Sequence, residues 1–182
     1  MNRLQKAALL TELADKLAAK GSWCGETNIQ KATYFLQDLV NVPTSYEYIL
    51  YTHGPFSFEL RDELTELRAD RLLQLEIRQP PYGPSWVPTP TSREIRQQYP
   101  KTLKRFQKQL DFVANEFGPL GVGELERLGT ALYFIREVSE SDDERAKKIH
   151  EIKPHISISS AKAALKEMLE IIGRAESVKY SE

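Results

Sequence analysis

The chain has 182 residues, and 25 lysines and arginines against 26 aspartates and glutamates leave a formal net charge of −1. With 41% hydrophobic and 28% charged residues the composition excludes a disordered or fibrous protein, and a chain of this size buries roughly 70% of its extended surface on folding. No apolar run reaches the ~18–20 residues that cross a bilayer, the amino-terminal stretch lacks the continuous apolar core of a signal peptide, and a single cysteine permits neither an internal disulfide nor a multi-cysteine metal framework.

Met1–Lys20 reads as an amphipathic helix, with Leu4, Ala7, Ala8, Leu10, Leu13, Ala14 and Leu17 recurring three and four apart and Gly21 as its stop. Thr27-Asn28-Ile29-Gln30 fits a capping box that opens a second helix, buried through Ile29, Ala32, Phe35, Leu36, Leu39 and Val40 and closed at Pro43. Tyr46–Tyr51 is rich in aromatic and β-branched residues and predicts a strand that ends in a turn at Gly54-Pro55. Ser57 is placed to cap a third helix running to about Leu73, with Leu60, Leu64 and Leu67 inside. Gln74–Arg78 and Ser85–Pro88 are short extended segments on either side of a loop of prolines and glycine. Beyond Thr91-Ser92 the pattern is almost wholly helical: Pro100 to Phe117, Gly121 to Ser139, Ser141 to Ile152 and Ser157 to Gly173.

Helix, helix, strand, helix, strand, loop, strand is the order of a winged helix. The expected fold is therefore α+β and mainly α: a winged-helix-like unit with a small antiparallel β element over residues 1–90, then a helical subdomain over 91–182 packed on it, or one compact domain. In a DNA-binding winged helix the third helix enters the major groove. Here it carries Arg61, Arg68 and Arg71 against Glu59, Asp62, Glu63, Glu66 and Asp70, a net −2 that repels phosphate. The opposite sign lies between Arg93 and Gln109, where Arg93, Arg96, Lys101, Lys104, Arg105 and Lys108 outweigh Glu94 by +5. Lys101, Lys104, Arg105 and Lys108 fall at helical spacing opposite the Leu103/Phe106/Leu110 stripe, as a basic ridge for a polyanion or as a solvated face paired with Glu137, Glu140, Asp142, Asp143 and Glu144.

No phosphate loop, dinucleotide fingerprint or nucleophile elbow is present, and His150 and His155 stand five apart with Pro154 between them, which fits no helical metal pair. No cofactor and no metal site is expected. His53 at a strand end reads as a turn or interface histidine, and Cys24 ahead of a helix as a packed thiol or as one activated by helix amides. An enzyme assembled around either residue is the distant reading. Aromatic anchors for a protein partner are expected in the loop Tyr82–Trp86, with Tyr82 and Trp86 the candidates, and further partner-binding residues on the third helix at Glu59, Arg61, Glu63 and Glu66.

The segments Ile29-Gln30-Lys31-Ala32-Thr33-Tyr34-Phe35-Leu36-Gln37 and Tyr51-Thr52-His53-Gly54-Pro55-Phe56-Ser57-Phe58-Glu59-Leu60 resemble the SocA-like (Panacea) antitoxin superfamily and the related YwgA-like bacterial proteins, in which an "LQKLLYF" helix precedes a strand ending in a "YGP" turn. The likeness covers about a quarter of the chain, and Ala32, Thr33 and His53 depart from the pattern. It implies a small, mainly helical cytoplasmic protein of bacterial or prophage origin that acts as an antitoxin or adaptor by binding another protein, a toxin or regulatory partner, and it transfers no catalytic residue. Within the motif Gln30 and Lys31 are expected in a first helical turn, Tyr34 and Phe35 against the strand, and Gly54, Pro55 and Ser57 at the strand-to-helix turn. The resulting expectation is a non-enzymatic, protein-binding regulator with no membrane partner, and the alternative is a winged-helix-like nucleic-acid binder using the basic stretch 93–109.

Overall fold

The structure, a computed structural model, describes residues 1–79, 83–138 and 140–180. It is α+β and mainly helical. Helix α1 (Arg3–Ala19) opens on Asn2, whose side chain accepts from the Gln5 amide while the Gln5 side chain returns the bond, and it stops at Gly21, φ +90°. Ala7, Ala8, Leu9, Leu10, Leu13, Ala14 and Leu17 are all buried, since α1 lies between the helices that follow residue 90 on one side and the second helix and a strand on the other. α2 (Glu26–Tyr34) starts from Gly25, and the capping box expected at Thr27 is not formed because the Gln30 side chain is spent on a distant segment. The helix then widens into one π turn, Phe35–Leu39, in which Phe35 stacks on Phe117 with ring centroids 3.8 Å apart.

In place of the single expected strand there is a hairpin, β1 (Ile49–Tyr51) with β2 (Gly54–Phe56), in the register Ile49↔Phe56, Leu50↔Pro55, Tyr51↔Gly54. Tyr46 is pulled out of the ladder by Gln37, whose side chain accepts from the Tyr46 amide at 2.8 Å and donates to its carbonyl at 3.0 Å. α3 (Phe58–Ala69) is capped by Ser57 as expected and buries Leu60, Leu64 and Leu67. A second hairpin, β3 (Leu73–Glu76) with β4 (Ser85–Pro88), forms a separate two-stranded sheet. The first three helices are thus accompanied by two separate hairpins.

After β4 come α4 (Pro90–Gln98), α5 (Pro100–Arg105) and α6 (Gln107–Phe117), all against α1. The continuous helix expected from Pro100 to Phe117 breaks at Phe106, φ −107° and ψ 13°, whose ring turns into the core against Tyr180 at 5.0 Å. α7 (Val122–Glu137) packs on α2, β2 and the last two helices, α8 (Asp142–Ile152) and α9 (Ile158–Ala175), which Ser141 and Ser157 cap. Among the described residues no helix is long and apolar enough to cross a membrane.

Because Phe35 and Phe117 are fully buried and stacked, Phe117→Ala is expected to lower stability by about 3–5 kcal/mol, read as a lower urea midpoint with the slope unchanged.

Candidate functional site

Three remote segments meet beneath the β1–β2 hairpin. Gln30 and Lys31 occupy the second turn of α2, not its first, and both side chains are fully buried. Gln30 acts as a surrogate strand for residue 57, donating from Nε2 to the Ser57 carbonyl at 2.9 Å while its Oε1 accepts from the Ser57 amide at 3.0 Å. Lys31, 1% exposed, runs between α2 and α7 to donate from Nζ to the Pro55 carbonyl at 2.8 Å. Gly129 opens that lane, since a Cβ there would lie 3.2 Å from Lys31 Cδ and 3.3 Å from Pro55 Cδ. Gly54 takes φ +84°, and its missing Cβ lets the turn rest on Thr130 and on the Glu126 carbonyl. So the motif residues Gln30, Lys31, Gly54, Pro55 and Ser57 are one contact set, and Tyr34 joins it edge-on to Tyr48 at 4.9 Å. Phe35 does not pack on the strand; it faces α6.

The other side of the turn is held by Lys153 in the α8–α9 connection. Its Nζ donates to the carbonyls of Tyr51 (3.0 Å) and Thr52 and to Glu126 Oε1 at 3.3 Å. Glu126 also takes His155 Nε2 at 3.1 Å on Oε1 and His53 Nδ1 at 3.5 Å on Oε2. Burial alone would raise the pKa of Glu126, but the hydrogen bond from His155 and the charge and hydrogen bond of Lys153, with His53, outweigh it and hold the carboxyl below its ordinary range. Lys31 shows the reverse balance: burial lowers its pKa to about 8, with Glu126 opposing and Lys153 adding to the fall. Thr130 Oγ1 is buried there without a hydrogen-bond partner. Glu126, Lys153 and Thr130 escape sequence reasoning, since each sits among ordinary surface-type neighbours; the nearest signal is Gly129 in mid-helix.

Outside this network the hairpin presents apolar surface. The rings of Tyr51, Phe56 and Phe58 lie with centroids 5.1–5.6 Å apart, and Tyr51 and Phe58 are exposed together with Ile49. A cavity of about 370 Å³ adjoins them, walled by Leu50, Tyr51, Ile152, Pro154, Lys153 and His155.

The expected partner anchors fall elsewhere. Trp86 is 8% exposed and donates its amide to the Cys24 carbonyl, so it belongs to the core and is not a surface anchor. Tyr82 lies outside the described residues. On α3, Glu63 accepts from the Tyr46 hydroxyl, Glu66 from Arg3, and Glu59 from the Glu47 amide, while Arg61 lies 5.0 Å over the Phe58 ring. The basic stretch is divided. Arg96 is spent on Glu12 and Asp15 of α1, Arg105 lies over the Tyr180 ring at 4.7 Å, and the break at Phe106 separates Lys101 and Lys104 from Lys108; Arg93, Lys101, Lys104 and Lys108 are exposed. Cys24 is buried and its thiol is pushed up to about 12 by burial, which ends the activated-thiol reading. His150 Nδ1 sits 2.8 Å from the Ile156 carbonyl, and no group of residues suited to a metal ion occurs among the described residues.

No protein-family model matches the chain, and neither a curated protein nor a solved structure matches it. The functional reading therefore rests on the surface and the network just described.

The buried charges set two measurable expectations. Glu126→Gln leaves two ammonium groups without their carboxylate and is expected to cost roughly 3–5 kcal/mol in urea unfolding. For Lys31 the folded pKa lies below the unfolded one, so the unfolded chain binds the extra proton between about pH 8 and 10.5 and this residue's contribution to stability rises with pH across that window. Relative to Lys31→Met, the native chain is expected to gain roughly 2 kcal/mol from pH 7.5 to pH 10, measured as paired urea titrations.

Proposed function

We propose that this chain is a non-enzymatic binding module, regulatory or antitoxin-like, that engages another protein through the outer face of the β1–β2 hairpin. The observation that carries the reading is the aromatic patch: Tyr51 is 51% exposed, Ile49 48% and Phe58 41%, side by side on one hairpin and its following helix. A contiguous exposed apolar surface of this kind marks an interaction site, and tyrosine beside arginine, here Tyr51 with Arg61 over Phe58, is the composition of interface centres. The mount beneath it supports the same reading. Backbone carbonyls of residues 51, 52, 55 and 57 are each held by a buried side chain, so the patch is presented without a loop to order on binding. The residues that resemble the antitoxin family build that mount, which makes a toxin or regulatory protein the natural partner class.

The winged-helix-like nucleic-acid reading keeps one supporting observation: Lys101, Lys104 and Lys108 are exposed and have no ion pair among the described residues. Partner capture from the source cell separates the two. The native chain and a variant with Lys101, Lys104, Arg105 and Lys108 changed to Gln are expected to retain the same protein, and Tyr51→Ser/Phe58→Ser to lose it. Retention by the serine variant overturns the proposal. Nucleic-acid binding that falls steeply with salt and vanishes in the glutamine variant replaces it with the alternative.

A further inference from the structure

Resting on the binding surface proposed above, we infer that the partner presents an acidic, apolar peptide segment, one apolar side chain entering the cavity beside the hairpin and a neighbouring carboxylate meeting His53 and His155. The cavity supplies the first half. Its walls of Leu50, Tyr51, Ile152 and Pro154 are apolar, Ile152 is 60% exposed at the end of α8, and Tyr51 joins it to the aromatic patch, so one ligand chain covers both.

Charge supplies the second half. Among the described residues no acidic side chain lines the cavity, whose polar members are Thr52, Lys153 and His155. Beneath it one carboxylate, Glu126, faces the ammonium groups of Lys31 and Lys153, which leaves an excess of positive charge. Lys153 directs its Nζ to Tyr51, Thr52 and Glu126, three acceptors for its three protons, and is not the contact. His53 and His155 are different. Each turns one ring nitrogen to Glu126 with the side chain 65% and 59% exposed, and the second nitrogen, as the N–H of an imidazolium, donates to a ligand carboxylate. At the far edge of the patch stands Arg61, beside Asp62, while Glu63 and Glu66 of α3 are occupied by Tyr46 and Arg3. A peptide bearing lysine in place of the acid would meet the excess positive charge instead.

The groups that face the two imidazoles are Glu126 from α7, Lys153 from the α8–α9 connection and, behind them, Lys31 from α2.

The test uses the full chain and three short fluorescein-labelled peptides in which leucine alternates with Glu, Gln or Lys, followed by fluorescence anisotropy. The Glu peptide is expected to bind about tenfold tighter than the Gln peptide at pH 6, with the Lys peptide weakest. His53→Gln/His155→Gln is expected to abolish the preference for the Glu peptide over the Gln peptide with circular dichroism unchanged, and Ile152→Ser to weaken the Glu peptide. Equal or tighter binding of the Lys peptide overturns the inference, as does a preference that the double histidine variant retains. Equal binding of all three peptides that Tyr51→Ser/Phe58→Ser abolishes refutes the acidic partner and leaves the binding surface standing. Failure of every peptide to bind while Tyr51-dependent partner capture persists likewise refutes only the acidic partner, and failure of both refutes both.

Discussion

A single buried carboxylate, Glu126, determines where the first hairpin sits. It balances Lys153, and Lys153 in turn holds the carbonyls of Tyr51 and Thr52, while Lys31 from the opposite side holds that of Pro55. Ion pairs out of water return little net stability, because desolvation consumes most of the attraction. Their effect here is positional. A three-residue by three-residue hairpin is too short to hold its own conformation in water, so its geometry comes from the helices that grip it. Without Glu126 the two ammonium groups would repel one another across the same gap, and α2, α7 and the α8–α9 connection would lose the reason to converge there.

This placement redistributes the meaning of the charge. A net of −1 is the sum of an acidic α3, a basic stretch after residue 92 and an acidic run near α8. In the folded chain the acids of α3 are largely answered from α1 and the segment before β1, and Arg96 is answered by Glu12 and Asp15. What remains is the exposed Lys101, Lys104 and Lys108, without an ion pair among the described residues, and, inside, two lysines against one glutamate below an aromatic surface.

Local departures from regular structure follow the same logic of side chains claiming backbone groups. Gln37 takes both polar groups of Tyr46 and shortens the strand; Gln30 takes both of Ser57 and leaves the helix N-terminus to Gly25. Phe106 breaks a helix whose apolar spacing is regular, because its ring reaches the core against Tyr180 only if the backbone turns there. Each is a tertiary contact winning over a local preference worth about 1 kcal/mol or less.

By itself the sequence determined what depends on neighbours within a few residues: the mainly helical α+β class, the stops and caps at Gly21, Ser57, Ser141 and Ser157, the leucine faces of α1 and α3, and the short strands around residues 73–88. It also marked Gln30, Lys31, Gly54, Pro55 and Ser57 as belonging together, though with turn-making roles in place of the side-chain clamp they form. Only the tertiary structure decided that Trp86 is core, that Tyr51 and Phe58 are surface, and that Glu126 and Lys153 complete the site. The physical reason is that periodicity reports which face of an element is apolar, whereas the partner of a buried charge lies wherever the chain returns in space. From Lys31 to Lys153 that return spans most of the sequence, and nothing in the residues between them signals it.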